Sequence, residues 1–206
     1  MCEIHIYRGK NMKKALLYVV LLLTIIVGVM AYNIANHTPV QNAEATPTPE
    51  PWMPAQLHIP DLHIDAPVIN VEASDTGVME APTSKALHSP YWTSVFWYAP
   101  GVAPGQTGNA VIAGHVDRVG GDPAIFWSLN SMKLGDIVSV ETLEGKSLQF
   151  MVKRVVTYPA TAPSQDVINA IFGPTSEHHL NLITCSGVWT AHGYDARLVV
   201  FTTQVN

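Results

Sequence analysis

Residues 15–32 form an unbroken apolar segment, ALLYVVLLLTIIVGVMAY, that contains no charged side chain. As a helix, a segment of this length rises about 27 Å, which is close to the thickness of the hydrocarbon core of a bilayer. The segment therefore predicts a transmembrane anchor. The globular part of the chain has to be built from the residues that follow.

Charged residues are divided unevenly around this segment. Four of the eleven Lys and Arg residues, but only one of the sixteen Asp and Glu residues, lie within residues 1–14. Because positively charged flanks stay in the cytoplasm, we predict a cytoplasmic tail at 1–14 and an extracellular location for everything beyond residue 32. A signal peptide cleaved near Val29-Met30-Ala31 is the alternative, but the apolar segment is longer than a usual signal core. The acidic remainder lacks the basic surface that nucleic acids require, which excludes them as partners.

Residues 33–56 have the composition of a tether. Five prolines lie between residues 37 and 56, among Thr, Ala and Glu, and such a composition favours extended conformations over collapse. We therefore assign the one globular domain to residues 57–206.

The pattern of this domain predicts an all-β fold. Pro and Gly interrupt it too often for long helices, and short apolar or alternating runs recur between turn residues. The predicted strands are 57–59, 66–71, 109–114, 137–141, 147–158, 180–184 and 198–203. Two short helices are predicted at 123–130 and Gln165–Phe172. A closed or nearly closed barrel is the simplest architecture that leaves no exposed strand edge.

The two cysteines cannot form a bond with each other if the anchor is correct. Cys2 precedes the apolar segment and Cys185 follows it, so the two thiols lie on opposite sides of the membrane. A single extracellular cysteine is either a buried apolar side chain or a group retained for its reactivity.

Three predicted strands end in residues that can carry chemistry. Cys185 follows the apolar strand 180–184, at a point where Ser186-Gly187 is expected to open a loop, and His115 follows the strand 109–114. Arg197 begins the strand that runs to residue 203. Each also has an ordinary structural explanation: filler for the cysteine, a surface hydrogen bond for the histidine, an ion pair for the arginine. Their shared position at strand ends favours an active site.

The segments AVIAGH at 110–115, LITC at 182–185 and RLVV at 197–200, behind a basic-flanked anchor and a Pro-rich tether, resemble those of the sortases. Sortases are cysteine transpeptidases of the outer face of Gram-positive-type envelopes. The resemblance covers the whole domain from residue 57. The segment DRVGGDPAIFWSLNSMKLGD after the histidine is most similar to class F and the neighbouring classes D and E. The resemblance implies a closed eight-stranded sortase barrel.

The same resemblance implies roles for single residues. Cys185 would attack the bond between Thr and Gly of an LPXTG-like sorting signal and form a thioester. His115 would exchange protons with the departing and incoming amines, and Arg197 would bind the developing oxyanion or the substrate backbone. Thr184 is implied as a substrate contact. Asp117 is a second candidate, able to orient the imidazole or to be an ordinary loop acid.

The implied partners are surface proteins that carry a sorting signal and an amine of a cell-wall precursor or another acceptor. No cofactor and no metal are predicted, because His178-His179 has no further ligands at metal spacing. Glu50-Pro51-Trp52 resembles the Asp-Pro-aromatic lid of pilin-polymerising sortases, but its acid differs and it lies in the tether. Two alternatives to a transpeptidase remain: a thiol hydrolase that uses the same residues, and a noncatalytic cell-surface barrel that binds a partner.

Overall fold

A computed structural model describes residues 52–74, 79, 81–161 and 163–205. The predicted tail at 1–14, the anchor at 15–32 and nearly all of the tether at 33–56 lie outside these residues. Among the helices of the described part, none has the length and apolar character needed to cross a membrane.

The described residues form a closed barrel of eight strands in the order β1-β2-β3-β4-β7-β8-β6-β5. All seven predicted strands are present, and several extend beyond their predicted ends. The bounds are β1 Pro54–Ile59, β2 Ile64–Val71, β3 Val95–Tyr98, β4 Gly108–Ala113, β5 Ile137–Thr142, β6 Ser147–Pro159, β7 His178–Thr190 and β8 Gly193–Val205. The pairs β2–β3 and β4–β7 are parallel and the others are antiparallel, so the predicted all-β barrel is confirmed.

Strand β3 was not predicted. It is a run of four residues, Val95-Phe96-Trp97-Tyr98, in which the first three are buried. Such a short continuous apolar run has no alternation by which sequence reasoning could recognise a strand. Its aromatic residues Phe96 and Trp97 are buried.

Alternation along β4, β7 and β8 separates the inside of the barrel from its outer face. The even-numbered residues Leu180 and Leu182 of β7 belong to the core. Odd-numbered residues point outward, where Val111, Val199 and Phe201 form a second apolar cluster with Ile171. The outward face therefore offers an apolar floor next to Cys185.

The one α-helix of the described residues, α1 (Gln165–Phe172), covers part of this outer face. Ser164 Oγ accepts a hydrogen bond from Val167 N and caps its start, and Gly173 N donates to Asn169 O at its end. This helix was predicted with the same bounds. Its apolar side chains pack on the second cluster.

The predicted helix at 123–130 is wrong. Apart from one short 3₁₀ turn, Leu129–Ser131, the segment has no helix, because its amide groups bond to distant carbonyls. Ala124 N donates to Val116 O, Ile125 N to Trp92 O and Phe126 N to His115 O. The segment is thus pinned beneath the end of β4.

The chain enters the barrel at the end opposite Cys185. Pro54 at the start of β1 pairs with Thr142 at the end of β5, and the register of β1 to β4 places Ile59 and Ala113 at the other end. Trp52 lies against Lys146, with the ammonium 3.8 Å from the ring centroid. A lid would have to cover the end of the barrel that holds Cys185, and Trp52 lies at the opposite end.

Candidate active site

Cys185 lies within strand β7. The sequence predicted a position just after the end of the strand, so this detail is corrected. The β7–β8 hairpin continues to Thr190 and Gly193, with a bulge between Ser186 and Trp189. The strand continues because its partner β8 extends equally far and supplies backbone hydrogen bonds. Cys185 and Arg197 are direct cross-strand partners, so their side chains lie on the same face. The expected pairing of the arginine strand with the cysteine strand is found.

His115 reaches the same place through the parallel pair β4–β7. Ala113 is opposite Ile183, so His115 and Cys185 both stand two residues beyond a matched pair. Two hydrogen bonds fix this end of β4: Gly114 N donates to Ile183 O at 3.0 Å, and Thr184 Oγ1 donates to Gly114 O at 2.8 Å.

Gly114 permits the close packing beneath the histidine. A Cβ atom at this position would lie 2.5 Å from Cδ2 of Phe126, and Phe126 is fully buried. A larger residue would have to displace either the ring or the end of β4. Because residue 114 is glycine, Phe126 can pack directly against the end of β4, next to His115.

The imidazole of His115 contacts one backbone carbonyl and two aromatic rings, none of which was predicted to belong to the site. Its Nε2 lies 2.8 Å from the carbonyl oxygen of Pro82. The edges of two rings approach it, with centroid distances of 5.0 Å to Trp92 and 5.5 Å to Phe96. The Pro82 carbonyl lies thirty-three residues upstream of His115, so no local motif indicates the contact. Trp92 and Phe96 are buried.

Arg197 is half-buried, and its guanidinium is anchored to its own strand. Nη1 donates to the carbonyl oxygens of Tyr194 at 3.0 Å and Ala196 at 2.8 Å. Within the described residues its guanidinium forms no ion pair with a carboxylate, contrary to the ordinary explanation for such an arginine. Its charge remains available to the thiol and to a bound substrate.

Cys185, His115 and Arg197 line one open groove of about 1140 Å³, which we call the α1 groove. Its floor is the outward face of β4, β7 and β8, and one wall is α1. The apolar part of floor and wall consists of Ala113, Ile183, Val199, Val167, Ile168, Ile171 and Phe172. The structure thus brings the three predicted residues together beside an apolar channel.

Burial raises the pKa of the Cys185 thiol above its ordinary value. The positive charge of Arg197 opposes this effect, and the negative charge of Asp117 adds to it. Because burial is the largest cause, the resting residue holds its proton at neutral pH. Attack by the sulfur therefore requires a base to remove that proton.

The model of the family described as "Sortase domain" matches residues 57–205. The chain belongs to the sortase family. The match covers the barrel from the middle of β1 to the end of β8. Sortases are transpeptidases that join surface proteins carrying a sorting signal to amine acceptors, so the family includes the reaction class that the residues at this site can perform.

Solved sortase structures share the fold. Sortase C-1 from Actinomyces oris is 20% identical, with a TM-score of 0.55 over 76% of this chain and 76% of its own. Sortase A from Corynebacterium diphtheriae is 18% identical, with a TM-score of 0.55 over 76% and 62%. A sortase D5 transpeptidase from Clostridium perfringens is 15% identical, with a TM-score of 0.52 over 75% and 79%. None of the curated proteins compared with the chain matches it.

Asp117, the second candidate, contacts Tyr194. Its Oδ2 accepts a hydrogen bond of 2.6 Å from the hydroxyl of Tyr194, while the hydrogen-bond contact of the His115 imidazole is with the carbonyl oxygen of Pro82. The bond to a carboxylate raises the pKa of Tyr194 to about 12. Tyr194 was not singled out in the sequence, although it stands three residues before Arg197.

The remaining predicted residues have structural contacts. Thr184 is 4% exposed and its hydroxyl is engaged with Gly114, so its contact with substrate stays a prediction. His178 Nδ1 bonds to Gly105 O and His179 Nδ1 to Thr202 O. In the part of the chain that the structure describes, no group of three or more His, Cys, Asp and Glu residues is arranged to hold a metal ion.

Proposed function

We propose that this sortase cleaves an LPXTG-like sorting signal through a thioester on Cys185 and joins the released carboxyl end to an amine of the cell envelope. The observation that carries the proposal is that Cys185, His115 and Arg197 together line the α1 groove. Three strands deliver a nucleophile, a proton carrier and a fixed cation to one site.

The first half of the reaction uses all three residues. The thiol proton passes to His115, and the sulfur attacks the scissile carbonyl carbon. Arg197 keeps its charge at any working pH and supplies donors to the oxyanion as it forms. His115 gives a proton to the departing amine, and the C–N bond breaks to leave the thioester.

The apolar α1 groove supports a peptide substrate. Ile168 and Phe172 on helix α1 are 39% and 43% exposed and line it, so they can bury the apolar side chains of a sorting motif. An acyl chain bound along this wall would leave its carbonyl at Cys185. Thr184 is proposed to contact that chain through its backbone, since its hydroxyl is engaged.

The proposal includes the place of the reaction. The apolar segment 15–32 would anchor the chain in the membrane, and residues 33–56 would hold the catalytic domain outside the cell. Surface proteins carrying the signal and the amine of a cell-wall precursor are both available there.

Mass spectrometry of the full chain in detergent, mixed with a library of sorting-motif peptides and amines, tests the function. We expect an acyl-enzyme on Cys185 and a ligated peptide–amine product. Hydrolysis of the peptides without any ligation would instead indicate a thiol hydrolase, and no turnover would leave only a noncatalytic barrel.

Variants assign the roles. Cys185→Ala should abolish turnover, whereas the matched replacement Cys2→Ala should retain it. His115→Ala and Arg197→Ala should each raise the barrier by several kcal/mol, which is on the order of a thousandfold in rate. An unchanged rate in any of the three active-site variants, with the fold verified by circular dichroism, refutes that role.

A further inference from the structure

A second depression meets the sulfur from the side away from the α1 groove. This depression, the Trp127 cleft, has a volume of about 380 Å³ and lies between the loop after β4 and the β7–β8 hairpin. Of the residues that line it, only Thr184 and Cys185 also line the α1 groove. The sulfur therefore stands on the boundary between two depressions.

The two depressions differ in chemistry. The walls of the Trp127 cleft carry hydroxyl and amide groups, among them Ser128, Asn130, Ser131 and Ser186. Trp127, which is 51% exposed, gives it one broad aromatic face. The α1 groove is apolar and contains the cation of Arg197. The cleft suits a polar ligand that can also pack against an aromatic ring.

A carboxylate stands at the edge of the Trp127 cleft. Tyr194 lines the cleft and donates its hydroxyl to Asp117, next to the lining residue Val116. Within the described residues Asp117 forms no ion pair. The nearby Arg118 donates instead to the carbonyls of Pro123 and Leu87. A carboxylate that forms no ion pair can attract a cation.

We propose that the Trp127 cleft receives the amine side of the reaction, with Asp117 attracting the ammonium form of the acceptor. This inference rests on the proposed function: once the acyl chain fills the α1 groove, the thioester carbon is open to attack from the cleft. By microscopic reversibility, the amine that departs in the first half occupies the same place.

In the second half of the reaction, the acceptor amine attacks the thioester. The ammonium gives one proton to His115 and becomes a neutral amine. Its nitrogen bonds to the acyl carbon, the C–S bond breaks, and the electron pair returns to the Cys185 sulfur. The second proton leaves the nitrogen and restores the thiol.

Competition between two nucleophiles for the same thioester tests the role of Asp117. The full chain in detergent is acylated with the best peptide from the library and offered triglycine, whose amine is cationic at neutral pH, or hydroxylamine, which is neutral there. Asp117→Asn should raise the KM for triglycine about three- to fivefold, as expected for one partly exposed charge pair. The KM for hydroxylamine should stay within twofold. Equal changes for both nucleophiles would overturn the role of the charge.

Variants on the two sides of the sulfur test the location. Trp127→Ala should raise the KM for triglycine, whereas Phe172→Ala, on the α1 groove, should raise the KM for the peptide. If Trp127→Ala changes only the KM for the peptide, the amine does not enter through the cleft. Failure of the wild-type chain to ligate any amine is a separate result, which refutes the proposed function itself.

Discussion

At the scale of single residues, the Cys185 thiol is under opposing influences. Burial and the carboxylate of Asp117 favour the neutral thiol, while the guanidinium of Arg197 favours the thiolate. Since burial is the largest of the three influences, the thiolate is disfavoured at this site. A thiol that keeps its proton is less readily oxidised than a thiolate.

The pH dependence of alkylation measures this balance. The rate of Cys185 modification by iodoacetamide should rise with pH around a midpoint above the ordinary thiol pKa of about 8.5. Arg197→Gln removes a cation and should move the midpoint up, and Asp117→Asn removes an anion and should move it down. The reaction is followed by mass spectrometry in a Cys2→Ala background. Shifts in the opposite directions would contradict the electrostatic explanation.

The principal site residues could be predicted because each stands next to an apolar run that is recognisable in the sequence. His115 and Cys185 end apolar runs, and Arg197 begins one, so strand pairing was enough to place them together. The Pro82 carbonyl and the Asp117–Tyr194 bond could not be predicted, because they depend on where loops cross in space. Contacts between residues so far apart in the chain cannot be inferred from the local sequence.

At the scale of elements, long-range backbone contacts decided the differences between sequence and structure. Helix α1 has its own cap, Ser164, and its own amphipathic pattern, so its bounds were legible. Residues 123–130 were also predicted as a helix, but the amide groups of residues 124–126 donate to carbonyl groups of other segments. Strand β3 is too short to alternate and exists because β2 and β4 flank it.

Two asparagines join α1 to the barrel. Asn181 Nδ2 donates to Ile171 O at 2.8 Å and to Asn109 Oδ1 at 3.1 Å, and Asn109 Nδ2 donates to Gly173 O at 2.7 Å. Asn181 is 1% exposed, so these bonds are shielded from water. They hold the C-terminal end of the helix that forms one wall of the α1 groove.

Asn181→Ala should therefore destabilise the fold by about 2 kcal/mol, because it leaves buried acceptors without donors. Gln165→Ala is the matched control: its side chain bonds only to Asn169 on the exposed face of the same helix, and the cost should be within about 0.5 kcal/mol. Urea unfolding gives both values. Equal costs for the two variants would show that the asparagine bonds do not hold the helix.

At the scale of the whole molecule, β1 closes the barrel. It pairs with β2 on one side and β5 on the other, so its loss exposes two strand edges at once. Exposed edges promote pairing between molecules. Closure also depends on Trp52 and Met53, whose carbonyl accepts a hydrogen bond from Leu143 N.

Truncation tests this dependence. A chain that begins at residue 52 should give a single cooperative thermal transition, whereas a chain that begins at residue 60 should aggregate or lack a transition. The first chain is the control for the loss of everything before the barrel. Light scattering and calorimetry separate the two outcomes, and a native-like transition for the shorter chain would show that β1 is dispensable.

The bulge beyond Cys185 separates two stretches of the β7–β8 hairpin. On the barrel side, the match of Cys185 to Arg197 cannot slip by one residue without turning the sulfur into the core. On the far side, Val188 and Trp189 are exposed, and their pairing is reset by the irregularity at 186–189. The bulge therefore uncouples the length of the hairpin tip from the register that positions the nucleophile.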